Sequence, residues 1–256
     1  MIQSLVALTL NGFREARRNR VTLVVGFFAI TLLLGATFVT DVTVITFNRV
    51  LTDFGLGTMS LMLVLLAVFL SSGLLSREIE RRTVFLIVSK PVSRGLFLVG
   101  RLAGNMLTLS VLMLGMAAVF FLEMLLSRGQ ITQPQVVAIG VLWVELLVLS
   151  SIGFLMSSFS SQIVSAVVTT GLYFAGHLSA DIYKLSERAK SANLKALGKA
   201  IYYLLPNLAR LNYRPQAAYN VEVPARVVLE SAAYGFAYAA GLAAIAVVLF
   251  SRRDFK

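Results

Sequence analysis

Six apolar runs constrain this chain more than anything else in it. They fall at 21–40, 58–75, 102–126, 136–156, 163–178 and 227–250. About 20 helical residues, rising 1.5 Å each, cross a hydrocarbon core of about 30 Å. Inside that core every backbone polar group needs a partner within the protein, and a helix supplies one locally. The runs therefore predict an all-α, polytopic membrane protein with six transmembrane helices. The fifth run is on the short side. The chain is 58% hydrophobic and 14% charged, whereas a soluble domain is nearer half apolar and a quarter charged. Little remains for a soluble domain, so 1–256 reads as a single transmembrane domain.

Orientation follows from the basic residues. Arg14, Arg17, Arg18 and Arg20 precede the first run, and Arg252, Arg253 and Lys256 follow the last. Between runs two and three lie Arg77, Arg81, Arg82, Lys90, Arg94 and Arg101. The short loops on the other side hold Arg49 and Arg128 alone. By the positive-inside bias, both termini and the 76–101 segment are expected on the cytoplasmic side. Six spans return the C-terminus to the side of the N-terminus, which agrees. Asp41, Asn48, Arg49 and Asp53 mark a short outer loop, with Gly55-Leu56-Gly57 leading back in. Residues 127–135 form a second outer loop, and 157–162 a polar cytoplasmic turn. Residues 179–226 form a long outer segment rich in Lys and Arg, against the trend, although long loops are less bound by it. Within that segment Ile182–Leu205 has helical periodicity and ends at Pro206.

The net charge is +11. These arginines flank apolar runs, where they set orientation and attract anionic lipid head groups. No aromatic-interleaved basic surface points to nucleic acid. Leu5, Leu8, Phe13 and Ala16 are spaced as on one helix face ahead of the first run, which suggests an amphipathic interfacial helix over 1–20. A secretory signal is the rival reading, but the run is long for one and no A-x-A site follows. The chain has no cysteine and one histidine, so thiol chemistry and a His-rich metal cluster are excluded within it.

The most informative segment is 76–101, SREIERRTVFLIVSKPVSRGLFLVGR. Its charges cannot lie in hydrocarbon. Glu78, Glu80, Arg81 and Arg82 crowd one or two helical turns, an apolar patch follows at Val84–Val88, and Pro91 biases Lys90 away from helix. The pattern E-x-E-R-R-T, an apolar step, S-K-P-V-S-R, then an apolar step into G-R resembles the first cytoplasmic loop of ABC-2 type transporter permeases. The branch it is most similar to is often labelled "involved in multi-copper enzyme maturation". The resemblance implies a cytoplasmic coupling helix between helices 2 and 3 that docks on a separate ATPase subunit. It assigns the coupling contacts to Glu78, Glu80, Arg81, Arg82, Thr83, Phe85, Lys90 and Arg94. It also implies a homodimer, since one chain carries half of a transport path, and a prokaryotic inner membrane. The family's N-terminal interfacial helix and its outer-loop helices fit 1–20 and the Leu204-Leu205-Pro206-Asn207-Leu208 stretch. The plainer alternative for 76–101 is a solvated basic loop that only fixes topology.

Gly95-x4-Gly100-Arg101 superficially resembles a phosphate loop. It has Arg for the required Lys, no Ser or Thr follows, and its interior is apolar. This chain is therefore expected to bind no cofactor, with ATP and Mg on the partner subunit, and not to be an enzyme.

Within the spans, Glu145 is placed near the middle of the fourth run, where a carboxylate costs about 3 kcal/mol on insertion scales. It is either a pathway or proton-linked residue, or a protonated group bonded to a neighbouring helix. His177 and Asp181 have the i, i+4 spacing of paired metal ligands, but two ligands make no site. The scattered methionines read as packing. The leading expectation is the membrane subunit of an ATP-driven exporter. A non-transporting subunit that passes ATPase motion to an extracytoplasmic protein at 179–226 is the first alternative. An ion-coupled carrier resting on Glu145 is the second.

Overall fold

Each of the six apolar runs is helical, and several helices outlast the run that predicted them. The computed structural model describes residues 6–7, 9–10, 13–14, 23–42, 47–80, 94–127, 129–189 and 191–252. Its helices are α1 (Leu23–Val42), α2 (Phe47–Glu80), α3 (Arg94–Leu126), α4 (Gln133–Ser157), α5 (Gln162–Glu187), α6 (Ala192–Leu204), α7 (Arg214–Ala218) and α8 (Ala225–Arg252). A 3₁₀ turn at Leu208–Leu211 sits between α6 and α7. No strand occurs among the described residues. Five helices (α2, α3, α4, α5 and α8) are long and apolar enough to span a bilayer, and α1 contributes a shorter apolar stretch, Leu23–Thr37.

α4 is the hub. It packs against α2, α3, α5, α7 and α8, and 72% of its most apolar window is buried, against 22% for α5 and α8. Its start is held by Gln135, whose Oε1 accepts from the Thr132 backbone N–H at 3.0 Å. The Gln135 Nε2 donates to Thr52 Oγ1 on α2 at 3.1 Å. The core gathers Phe28 and Leu32 of α1, Leu63 of α2, Leu109 and Phe120 of α3, and Leu146 and Leu149 of α4. Met59, Met106, Met113, Met116 and Met124 are buried in the same cluster, as packing residues. Large apolar side chains also face outward, among them Phe27, Leu61, Leu114, Val167 and Leu229. Such a surface suits lipid, whereas water-soluble proteins keep apolar patches small.

The structure moves the boundary of the first outer loop and shows where the helices flanking 76–101 end. The outer loop at 41–57 is mostly helix, because α2 begins at Phe47. Leu51 and Leu56 are buried there, which stabilises the extra turns, and the Phe120 ring of α3 sits 2.6 Å from where a Cβ on Gly55 would lie. That glycine marks close helix approach and not a turn. The segment 76–101 is helical at both ends, since α2 runs to Glu80 and α3 starts at Arg94. At about 50 Å each, these helices outreach the hydrocarbon core.

The fifth span is also longer than expected. α5 continues to Glu187 because Ser179 is buried, with its hydroxyl donating to Gly176 O at 2.8 Å, and because Gly176 lets Pro206 O and Leu208 close on the helix. The stretch Ile182–Leu205 is two helices. α5 ends at Glu187 and α6 begins at Ala192, folding back so that Gly198 lies directly on Ser186.

Candidate functional site

A polar cluster sits where α2, α4 and α5 meet, halfway along α4. Glu145 is 3% exposed. Its Oε1 lies 2.8 Å from Nε2 of His177 on α5. The Tyr173 ring, one turn before His177, packs edge-on against the imidazole with centroids 4.7 Å apart. Ser60 of α2 and Arg214 at the start of α7 lie near the Tyr173 hydroxyl. The Arg214 Nε donates to Asn212 Oδ1 at 3.0 Å. The helix surface explains the grouping. Residues four apart share a face, so Tyr173 and His177 point together toward α4.

Further hydrogen bonds tie the spans at other depths. Trp143 Nε1 donates to Ser110 Oγ at 2.7 Å, and Asn105 Nδ2 to Ser150 Oγ at 3.1 Å, both joining α3 to α4. In a bilayer such bonds replace the water that would otherwise satisfy these groups. At the end of the bundle where α3 begins, Arg101 is buried beside Phe97, its guanidinium 5.7 Å from the ring centroid. At the opposite end the Arg49 guanidinium stacks over Tyr219 at 3.6 Å. Together with Asp53 and Pro215 they line a cavity of about 420 Å³. Asn220, with φ of 52°, makes the turn that presents Tyr219, a conformation Asn adopts more readily than most residues. Gln133 Nε2 donates to Val223 O at 3.3 Å, closing the start of α4 onto the segment before α8.

The residues singled out in the sequence separate into two places. Glu145 stands in the cluster, bonded to a neighbouring helix as one of its two readings expected. Glu78 and Glu80 are in the last turn of α2, and Arg94 opens α3. Arg81, Arg82, Thr83, Phe85 and Lys90 lie outside the described residues. His177 and Asp181 do not share a ligand set. His177 turns to Glu145, whereas Asp181 is exposed and 3.6 Å from Lys184. No group of three metal-ligating side chains occurs among the described residues. Sequence reasoning missed Ser60, Tyr173 and Tyr219. Only Tyr173 carried a signal, its i, i+4 spacing from His177.

A bundle of long apolar helices around one buried helix, with polar bonds between spans, defines a multi-pass membrane protein. The family model described as "ABC-2 family transporter protein" matches residues 6–255. The chain belongs to that family, as the 76–101 pattern suggested. A search of curated proteins returned no match.

Proposed function

We propose that this chain is the membrane-spanning permease subunit of an ATP-binding cassette transporter, working as a homodimer with a separate ATPase and extruding its substrate across a prokaryotic inner membrane. The observation that carries this reading is the family match over nearly the whole chain. ATP and Mg belong on the ATPase subunit. The coupling segment joins α2 to α3, and both helices pack on α4. A push on that segment therefore reaches the hub directly. In this reading Glu78, Glu80, Arg81, Arg82, Lys90 and Arg94 make charged contacts with the ATPase, and Thr83 and Phe85 fill the space between.

The test is co-purification with a candidate ABC ATPase subunit. Glu80→Arg combined with Arg82→Glu should abolish recovery of the ATPase while the membrane subunit stays folded and keeps its oligomeric state. Equal recovery with both forms would move docking elsewhere.

A second reading has its own observation. α6, α7 and the 3₁₀ turn are packed against the spans α2, α4, α5 and α8. Movement of the spans would reach the 179–226 segment, so a protein bound there would receive ATPase motion without any substrate crossing. ATPase stimulation by an extracytoplasmic protein, and by no small molecule or lipid, would favour it.

A further inference from the structure

The ionisable groups of the spans cluster at their ends, with one exception. α2 has no Asp, Glu, His, Lys or Arg between Asp53 and Arg77, α3 none between Arg101 and Glu123, and α8 none between Glu230 and Arg252. α4 has Glu145 alone. On α5 the first is His177, and the next two, Asp181 and Lys184, are exposed and engage each other. Among the described residues of the spans, the mid-depth carboxyl and imidazole thus meet at 2.8 Å. Neighbouring elements add further polar groups among the described residues, including Arg210 in the 3₁₀ turn. α5 adds Tyr173, α2 adds the neutral Ser60, and α7 brings Arg214 within reach of Tyr173. On α8, the Tyr234 hydroxyl accepts from Asn207 N–H and the Tyr238 hydroxyl donates to Leu204 O. Among the described residues Arg226 and Glu230, at the α8 start, pair with each other at 2.9 Å.

A buried carboxyl and a half-buried imidazole at hydrogen-bond distance can hold zero, one or two exchangeable protons between them. With one, the pair is neutral overall and keeps its short bond, whichever atom carries the proton. With none, a carboxylate stands beside a neutral ring. With two, an imidazolium faces a neutral carboxyl. The last two states place an uncompensated charge in a low-dielectric interior, which is expensive. The one-proton state is therefore the state in which α4 and α5 are best held together. Because the two groups share one hydrogen bond, a proton bound there belongs to the pair.

We propose that Glu145 and His177 form an intramembrane proton-binding site whose occupancy sets how firmly α5 is held to α4. The consequence extends outward. α5 carries α6 through the Gly198–Ser186 contact, so a change at mid-depth loosens the outer segment as well. The proposal does not depend on the permease reading.

Two properties of the sequence make the test clean. The chain has one histidine, so 15N-histidine labelling gives one imidazole in the NMR spectrum. It has no cysteine, so spin labels can be placed at will. The first measurement follows the ring nitrogens against pH in wild type and Glu145→Gln, in lipid nanodiscs. The pH at which the ring changes state should differ between them by at least about one unit, a tenfold change in proton affinity. The same transition in both would overturn the shared site. Should Glu145→Gln not fold, Glu145→Asp serves, as it keeps the carboxyl and alters its distance.

The second measurement places labels at Val136 on α4 and Leu185 on α5, both exposed and at the same end of the antiparallel pair. The distance distribution should respond to pH between about 5 and 8, the range in which histidine is able to switch. His177→Gln keeps a donor toward Glu145 but cannot take a proton, and should abolish the response. A response that persists in His177→Gln, or no response in wild type, would overturn the link between the site and the helix contact.

Discussion

Single side chains matter most where they bridge helices. In water a surface Trp or Asn finds solvent; in a bilayer it needs a protein partner, and Trp143 finds Ser110 while Asn105 finds Ser150. The energetic return is modest, because the unfolded chain in the membrane also finds partners. Trp143→Phe should therefore lower stability by only about 0.6 kcal/mol, read from thermal or denaturant unfolding in detergent. A loss several times larger would mean that the indole contributes chiefly through packing against Phe236, whose ring centroid lies 6.0 Å away. Glu145 was legible at this scale, because a lone carboxylate in an apolar run stands out. Its partner was not. Thirty-two positions separate Glu145 from His177, and no periodicity links residues on different helices.

Helix pairs are set by small residues, and here the reading of the sequence was weakest. Glycine in a span is compatible with a kink, a turn or close packing, and sequence alone does not choose among them. Beyond Gly55 and Gly176, the structure chooses packing at three more contacts. A Cβ on Gly153 would collide with Ser71 of α2, one on Gly235 with Val144 of α4, and one on Gly198 with Ser186 of α5. Gly153→Val should push α4 off α2 and cost about 1–3 kcal/mol by overpacking, measured as a fall in unfolding midpoint. Gly198→Val should act differently. It displaces α6 alone, so stability of the spans is retained while a crosslink between engineered cysteines on α5 and α6 is lost. Loss of the whole fold in that variant would show that α6 is integral to the bundle.

For the whole molecule, the charge bias predicts a testable topology. Cysteines introduced singly near the N-terminus, in 81–93 and in the C-terminal tail should react with an impermeant thiol reagent only after the membrane is opened from the cytoplasmic side. Cysteines at Gln130 and Tyr219 should react from the other side. The reverse pattern would invert the protein, and with it the placement of the coupling segment.

Sequence by itself determined that the chain is helical, that it crosses a membrane repeatedly and which family it joins. Those follow from the lengths of apolar runs, the backbone's need for internal hydrogen bonds and a contiguous motif at 76–101, all of them local. The tertiary structure decided where the helices end, which one is central and which residues meet. α2 and α5 outlast their apolar runs because Leu51, Leu56 and Ser179 are buried by other elements, and burial by a partner is not written in the segment that it stabilises. α4 became the hub, and Glu145 acquired His177 and Tyr173 as neighbours, because packing brings together positions that are far apart along the chain.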